Sequence, residues 1–226
     1  THSLVIAVSQ RRGETTIYNS NLKYLLQPTE DLLRRATENL QILEKQREVF
    51  NELLTNLNIL ELTNLVSIGD VCKMLQRIEM IKKMTNIINE QIIELGEDGI
   101  ILRMRMREVI RGIEKEDEFI IKDYIKNEEE FRRFFDSLNF EEILDIEQIT
   151  KNLFNQAQDI IINPTGYRLL SKTNLQLNEI ENLIIEFNQL DEIINADDEN
   201  LIRIIGASVD KFKKEISHIR EQILMG

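Results

Sequence analysis

Tryptophan is absent from these 226 residues, cysteine occurs once, proline twice and glycine eight times. Each shortage excludes something. A lone cysteine, Cys72, leaves no internal disulfide, which suits the reducing cytoplasm, and its apolar helical surroundings read as those of a buried structural thiol. Scarce glycine and proline mean few chain reversals, so long helices are expected. No apolar run reaches the ~20 residues a bilayer span needs, so no membrane partner is expected. No initiator Met, signal peptide or transit peptide is visible before the apolar run that begins at Leu4.

Positive charge is also short: 28 Lys and Arg face 40 Asp and Glu, for a formal net charge of −12. Such a balance argues against whole-surface binding to nucleic acid and leaves room only for a local basic patch. Residues 164–226, with 7 basic and 11 acidic side chains, are no basic domain.

What is present begins with Leu4-Val5-Ile6-Ala7-Val8, a continuously apolar, mostly β-branched run that reads as a strand buried on both faces. After a turn through Ser9, Arg11, Arg12 and Gly13, Thr15-Thr16-Ile17-Tyr18 reads as a second strand. Two strands cannot form a stable domain alone, so this hairpin is expected to be part of a larger sheet.

Helices are expected from Pro28 onward, with Thr29 as N-cap and Glu30 and Asp31 at the positive end of the dipole. A seven-residue repeat follows, with Leu33, Leu40, Arg47 and Leu54 in one set and Ala36, Leu43, Phe50 and Leu57 in the other. This pattern predicts a long amphipathic helix, either in a bundle or in an oligomerising coiled coil. The bundle is favoured, because a compatible helix follows at 71–95, with Val71, Leu75, Ile78, Ile81, Ile88 and Ile92 on one face and Gly96 and Gly99 at its end. Shorter patterns occur at 100–110, 116–126, 128–138 and 146–154. The charge run Glu114-Lys115-Glu116-Asp117-Glu118 reads as a solvated helix face, and no partner ligands for a carboxylate metal site are identifiable.

Asn163-Pro164-Thr165-Gly166 breaks the helical pattern. Beyond it come helix patterns at 177–187, 190–195 and 209–224, with the apolar–glycine stretch Leu201-Ile202-Arg203-Ile204-Ile205-Gly206-Ala207-Ser208 before the last. A small helical cluster with such a turn has the shape of a helix-hairpin-helix unit, whose backbone N–H groups grip a phosphate.

Three ordered blocks resemble the DisA family of DNA integrity scanning diadenylate cyclases. The first is Leu4-Val5-Ile6-Ala7-Val8-Ser9-Gln10-Arg11-Arg12 with Ile17-Tyr18 and Asn21-Leu22-Lys23-Tyr24. The second contains Leu57, Leu60-Glu61, Leu65-Val66, Asp70-Val71, Arg77-Ile78-Glu79-Met80, Glu94-Leu95-Gly96 and Ile121-Lys122-Asp123-Tyr124. The third is Gly166-Tyr167-Arg168-Leu169-Leu170-Ser171-Lys172 with Ile180-Glu181-Asn182-Leu183.

The resemblance implies a mainly α chain in three parts. Residues 1–27 would be a remnant β-hairpin from the end of an α/β cyclase domain, 28–160 a helical-bundle linker domain, and 161–226 a helix-hairpin-helix domain. In the family the enzyme joins two ATP into cyclic di-AMP with Mg or Mn, forms octamers and senses branched DNA. The family's Asp-Gly-Ala and Arg-His-Arg motifs are missing from these residues, so this chain alone is expected to be inactive, with no catalytic or metal residue and no bound cofactor. Ser9, Arg11 and Arg12 would line the nucleotide pocket, though without the resemblance the arginines read as exposed turn residues. Gly166, Arg168, Gly206, Ser208, Lys211 and Lys214 would meet DNA. The hairpin carries one glycine where the family has two, and Asp210 and Glu215 offset nearby lysines, so DNA binding is expected to be weakened. The alternative is an acidic helical scaffold that mediates protein–protein association.

Overall fold

A computed structural model describes the backbone of residues 14–225 and the side chains of 27–223; the expected strand at residues 4–8 and the positions Ser9, Arg11 and Arg12 lie outside the described residues. The described residues are helical almost throughout. Helix α1 (Glu14–Thr63) is 50 residues long, on the order of 75 Å at 1.5 Å per residue. It turns at Asn64, which holds a left-handed φ of 57°, into α2 (Ile68–Leu95). Asn39 donates to Gln91 at 3.1 Å and Arg77 bonds Gln46, so the two helices run antiparallel.

Two expectations change at the start of α1. Thr15-Thr16-Ile17-Tyr18 is helical, not a strand. A lone strand leaves its backbone polar groups unpaired, whereas a helix satisfies them within itself. Pro28 lies inside α1, so Thr29 is not its N-cap. Leu22, Lys23, Leu25, Leu26 and Gln27 are good helix formers that carry the helix across the single hydrogen bond Pro28 removes.

The second heptad set is the core seam: Ala36 and Leu43 are fully buried, Phe50 is 1% exposed and Leu57 2%. In the first set only Leu40 is fully buried, and Leu33 is 37% exposed. Every residue expected on the apolar face of α2 is buried, as is Cys72. Ser67 caps α2: its Oγ accepts from Asp70 N at 3.2 Å, and Asp70 accepts in return from Ser67 N at 3.1 Å.

Around this hairpin lie α3 (Ile100–Ile110), α4 (Ile113–Tyr124), α5 (Glu128–Ser137) and α6 (Ile146–Phe154). Together with α1 and α2 they enclose one apolar core, in which Phe131 and Phe135 pack with ring centroids 4.9 Å apart. The charge run in α4 is not wholly solvated: Asp117 is 4% exposed and accepts from Lys82 at 2.8 Å and Arg132 at 3.4 Å. A carboxylate inside a helix bundle is stable there because cations from α2 and α5 reach it.

After α6 an irregular segment is strapped to the turn before α2, with Ile162 N donating to Val66 O at 2.8 Å and Ile68 N to Ile160 O at 2.9 Å. Then come α7 (Tyr167–Leu170), α8 (Leu177–Phe187), α9 (Leu190–Ile194), α10 (Asp198–Ile205) and α11 (Val209–Met225). They enclose a second core of Leu169, Leu170, Ile180, Leu183, Leu190, Ile193, Leu201, Ile205, Val209, Phe212 and their neighbours. Among the described residues, Leu62, near the end of α1, is the only buried apolar side chain of α1 to α6 that belongs to it.

Candidate functional site

Polar and charged side chains gather at a buried joint between the two cores, and an exposed hairpin lies in the second. The joint collects residues from three distant segments. The last turns of α1 present Asn58 and Glu61, the end of α4 presents Asp123 and Tyr124, and the break before α7 brings Thr165, Gly166, Tyr167 and Arg168.

Arg168 and Glu61 face each other with each side chain 1% exposed. The guanidinium forks onto the carboxylate, with Nε donating to Glu61 Oε1 at 3.1 Å and Nη2 to Oε2, while Nη1 donates to Asn58 Oδ1 at 2.6 Å. Tyr124 donates its hydroxyl to Glu61 Oε1 at 2.8 Å. Only a planar, multi-donor cation fills all of these positions at once. Burial opposes the Arg168 charge, but Glu61, Tyr124 and Glu116 together outweigh it and hold its pKa above the usual value. Burial and the Glu61 charge push the Tyr124 hydroxyl well above its ordinary range.

Asp123 lies beside this pair and caps α7. Its Oδ1 accepts from Thr165 Oγ1 at 2.9 Å, Gly166 N at 2.8 Å and Tyr167 N at 2.6 Å, and its Oδ2 accepts from Arg168 N at 3.0 Å. The carboxylate thus takes the N–H groups that the first turn of a helix leaves unpaired. Burial and the nearby Glu61 nevertheless push its pKa up to about 6, against the hydrogen bonds that favour its charge. Gly166 is needed because its φ is 120° and a Cβ there would stand 3.2 Å from Leu190 Cδ1.

Gly166 and Arg168, both expected to contact DNA, are therefore inside the joint. Gly166 is buried with its N–H committed to Asp123, and the Arg168 guanidinium is committed to Glu61 and Asn58. From its neighbours in sequence Arg168 reads as a phosphate ligand, because its partner stands 107 residues earlier in the chain. The signal that could have found the joint was already present in the blocks: Leu60-Glu61, Lys122-Asp123-Tyr124 and Gly166-Tyr167-Arg168 are three of the stretches that carry the family resemblance, and they converge here.

The other expected contacts are on the surface. Gly206 ends α10 with φ 57°, open space surrounds its missing Cβ, and a short turn over Gly206–Ser208 leads into α11. Gly206, Lys211 and Lys214 are exposed and Ser208 is half-buried. Lys213 pairs with Asp198 on α10, and Lys211 lies 3.9 Å from Glu215, which is itself held by Asn174. No salt bridge involves Lys214 among the described residues. Also among the described residues, no group of acidic, His or Cys side chains could hold a metal ion, and no helix is long and apolar enough to cross a membrane.

The fold and the joint define a class: a helical-bundle linker, built on one long helix, that carries a second small helical unit at its end. Residues 26–160 match the family model described as the DisA bacterial checkpoint controller linker region. The whole chain is 35% identical to DNA integrity scanning protein DisA from Clostridium botulinum (strain Eklund 17B / Type B), and 99% of it is 35% identical to the protein of that name from Clostridium beijerinckii. It spans 66% of the length of each of these relatives. A third, from Clostridium botulinum (strain Loch Maree / Type A3), is 34% identical, and the chain covers 67% of it. The chain belongs to the DisA family.

Proposed function

We propose that this chain is the linker and DNA-sensing portion of a DNA integrity scanning diadenylate cyclase. In that reading residues 1–27 close a cyclase domain, 28–160 form the linker and 161–226 dock on branched DNA. The whole enzyme condenses two ATP into cyclic di-AMP with Mg or Mn, in the cytoplasm, as an octamer. Ser9, Arg11 and Arg12 contribute to the ATP pocket, and this chain alone makes no cyclic di-AMP.

The observation that carries the DNA part is the α10–turn–α11 hairpin, with exposed Gly206 at the turn and exposed Lys211 and Lys214 on the first turns of α11. Backbone N–H groups at such a helix start and flanking lysines suit a phosphate. The contact set is Gly206, Ser208, Lys211 and Lys214, since Gly166 and Arg168 are buried. Its reach is narrow and partly neutralised by Asp210 and Glu215, so binding is weak and depends steeply on salt.

Titration of labelled four-way junction DNA at low and moderate salt tests this reading. Salt-sensitive binding at micromolar protein that is lost in Lys211→Glu/Lys214→Glu supports it. No binding at low salt would sink it, and would favour the acidic scaffold that recruits protein partners.

A further inference from the structure

We infer that the seam holding the C-terminal helices on the linker is a reversible latch, which opens and closes as a unit while both apolar cores stay folded. Four observations carry this. First, each side of the seam has its own apolar core, and among the described residues Leu62 is the one buried apolar side chain of α1 to α6 that belongs to the second. Second, apart from Leu62 and the packing of α1 on α11, the seam is made of polar contacts: Glu61 and Asn58 with Arg168, Tyr124 with Glu61, Asp123 with the α7 amides, Lys172 Nζ donating to Asn58 Oδ1 at 3.0 Å, and Asn64 donating to Asp191 at 2.9 Å.

Third, a buried ion pair roughly breaks even against its two hydrated ions, because the desolvation it costs cancels most of the attraction it gains. Opening a charged seam returns both ions to water, whereas opening an apolar seam of the same size exposes surface with no compensation. Fourth, a short crossing permits the motion. The backbone straps to the turn before α2 end at Ile162, Pro164 O already accepts from Leu190 N at 3.0 Å on the far side, and Asn163 alone lies between them; the bonds of Thr165 to Lys122 and Asp123 belong to the latch itself.

The latch therefore sets how the hairpin of α10 and α11 is held relative to α1, independently of what the hairpin binds. Glu61 and Arg168 act as positioning residues.

Hydrogen exchange of the full chain, followed amide by amide by NMR, tests this. The reporters are the N–H groups of Gly166, Tyr167 and Arg168, which open with the latch, against amides of Ile78 in α2 and Leu183 in α8, which open only with their cores. The latch requires that the three reporters exchange together and faster than both core amides. Glu61→Gln should speed the reporters about a hundredfold or more and leave the core amides unchanged. The apolar replacement Glu61→Leu/Tyr124→Phe/Arg168→Met should slow the reporters toward the core rate. The inference is overturned if reporters and cores exchange at one common rate in the natural sequence, or if the apolar replacement leaves the reporters as fast as before. Because those two comparisons do not involve Glu61→Gln, failure of that variant to fold leaves the test intact.

Discussion

Glu61 and Arg168 stand 107 residues apart in the chain and meet as a forked ion pair from which solvent is almost wholly excluded. Their partner Asn58 shares α1 with Glu61, while Tyr124 and Asp123 come from the end of α4.

The two residues should be energetically coupled. A double-mutant cycle of Glu61→Gln and Arg168→Met, read from urea unfolding, should give an interaction of about 1–3 kcal/mol, because each single change strands a buried partner. Additive effects would contradict the pairing.

Asp123 should give the fold a distinctive pH dependence. Its folded pKa of about 6 lies above the ordinary 3.8, so as the pH falls the folded chain takes up a proton before the unfolded chain does. The stability contributed by this group is absent at neutral pH, grows as the pH falls through 6, and is complete below 3.8, where it amounts to up to about 3 kcal/mol. The stability difference between the natural chain and Asp123→Asn should therefore shift in favour of the natural chain from pH 7 to pH 4. A difference that stays flat would show that Asp123 titrates at its ordinary value.

The two positive-φ glycines of the C-terminal unit should respond differently to a methyl group. Gly206→Ala meets open space at φ 57° and should cost only about 1–2 kcal/mol. Gly166→Ala adds contact with Leu190 at 3.2 Å to a φ of 120°, and should cost clearly more than Gly206→Ala in the same denaturation experiment.

Along α1, Leu40→Ala and Phe50→Ala should each lower stability by about 2–5 kcal/mol, because both side chains are buried in the seam with α2. Leu33→Ala, in the same heptad set as Leu40 but 37% exposed, should cost well under about 1 kcal/mol.

These contrasts mark how far the sequence could be read. The spacing of Val71, Leu75, Ile78 and Ile81 is a local property of one helix face, and it located α2 and its core. The turn at Gly206 was legible from its glycine, but the stretch before it read as part of the hairpin, whereas Asp198–Ile205 forms helix α10. Thr15-Thr16-Ile17-Tyr18 has strand-like residue types, yet its backbone is helical because continuity with α1 outweighs intrinsic preference. Asp117 sits in a run of charges that looks solvated, and only the approach of Lys82 and Arg132 from other helices makes it a buried residue. Arg168 is the sharpest case, because a cation after a glycine looks the same in sequence whether it faces a phosphate or a carboxylate.

The proposed function has the chain meet DNA through the α10–α11 hairpin while Arg168 stays in the joint. The most direct measurement is NMR mapping of the full chain during titration with four-way junction DNA. Amide shifts concentrated at Gly206, Ser208, Lys211 and Lys214, with the Arg168 guanidinium signals unmoved, are the predicted result. Shifts centred on Arg168 with none along residues 206–214 would contradict it.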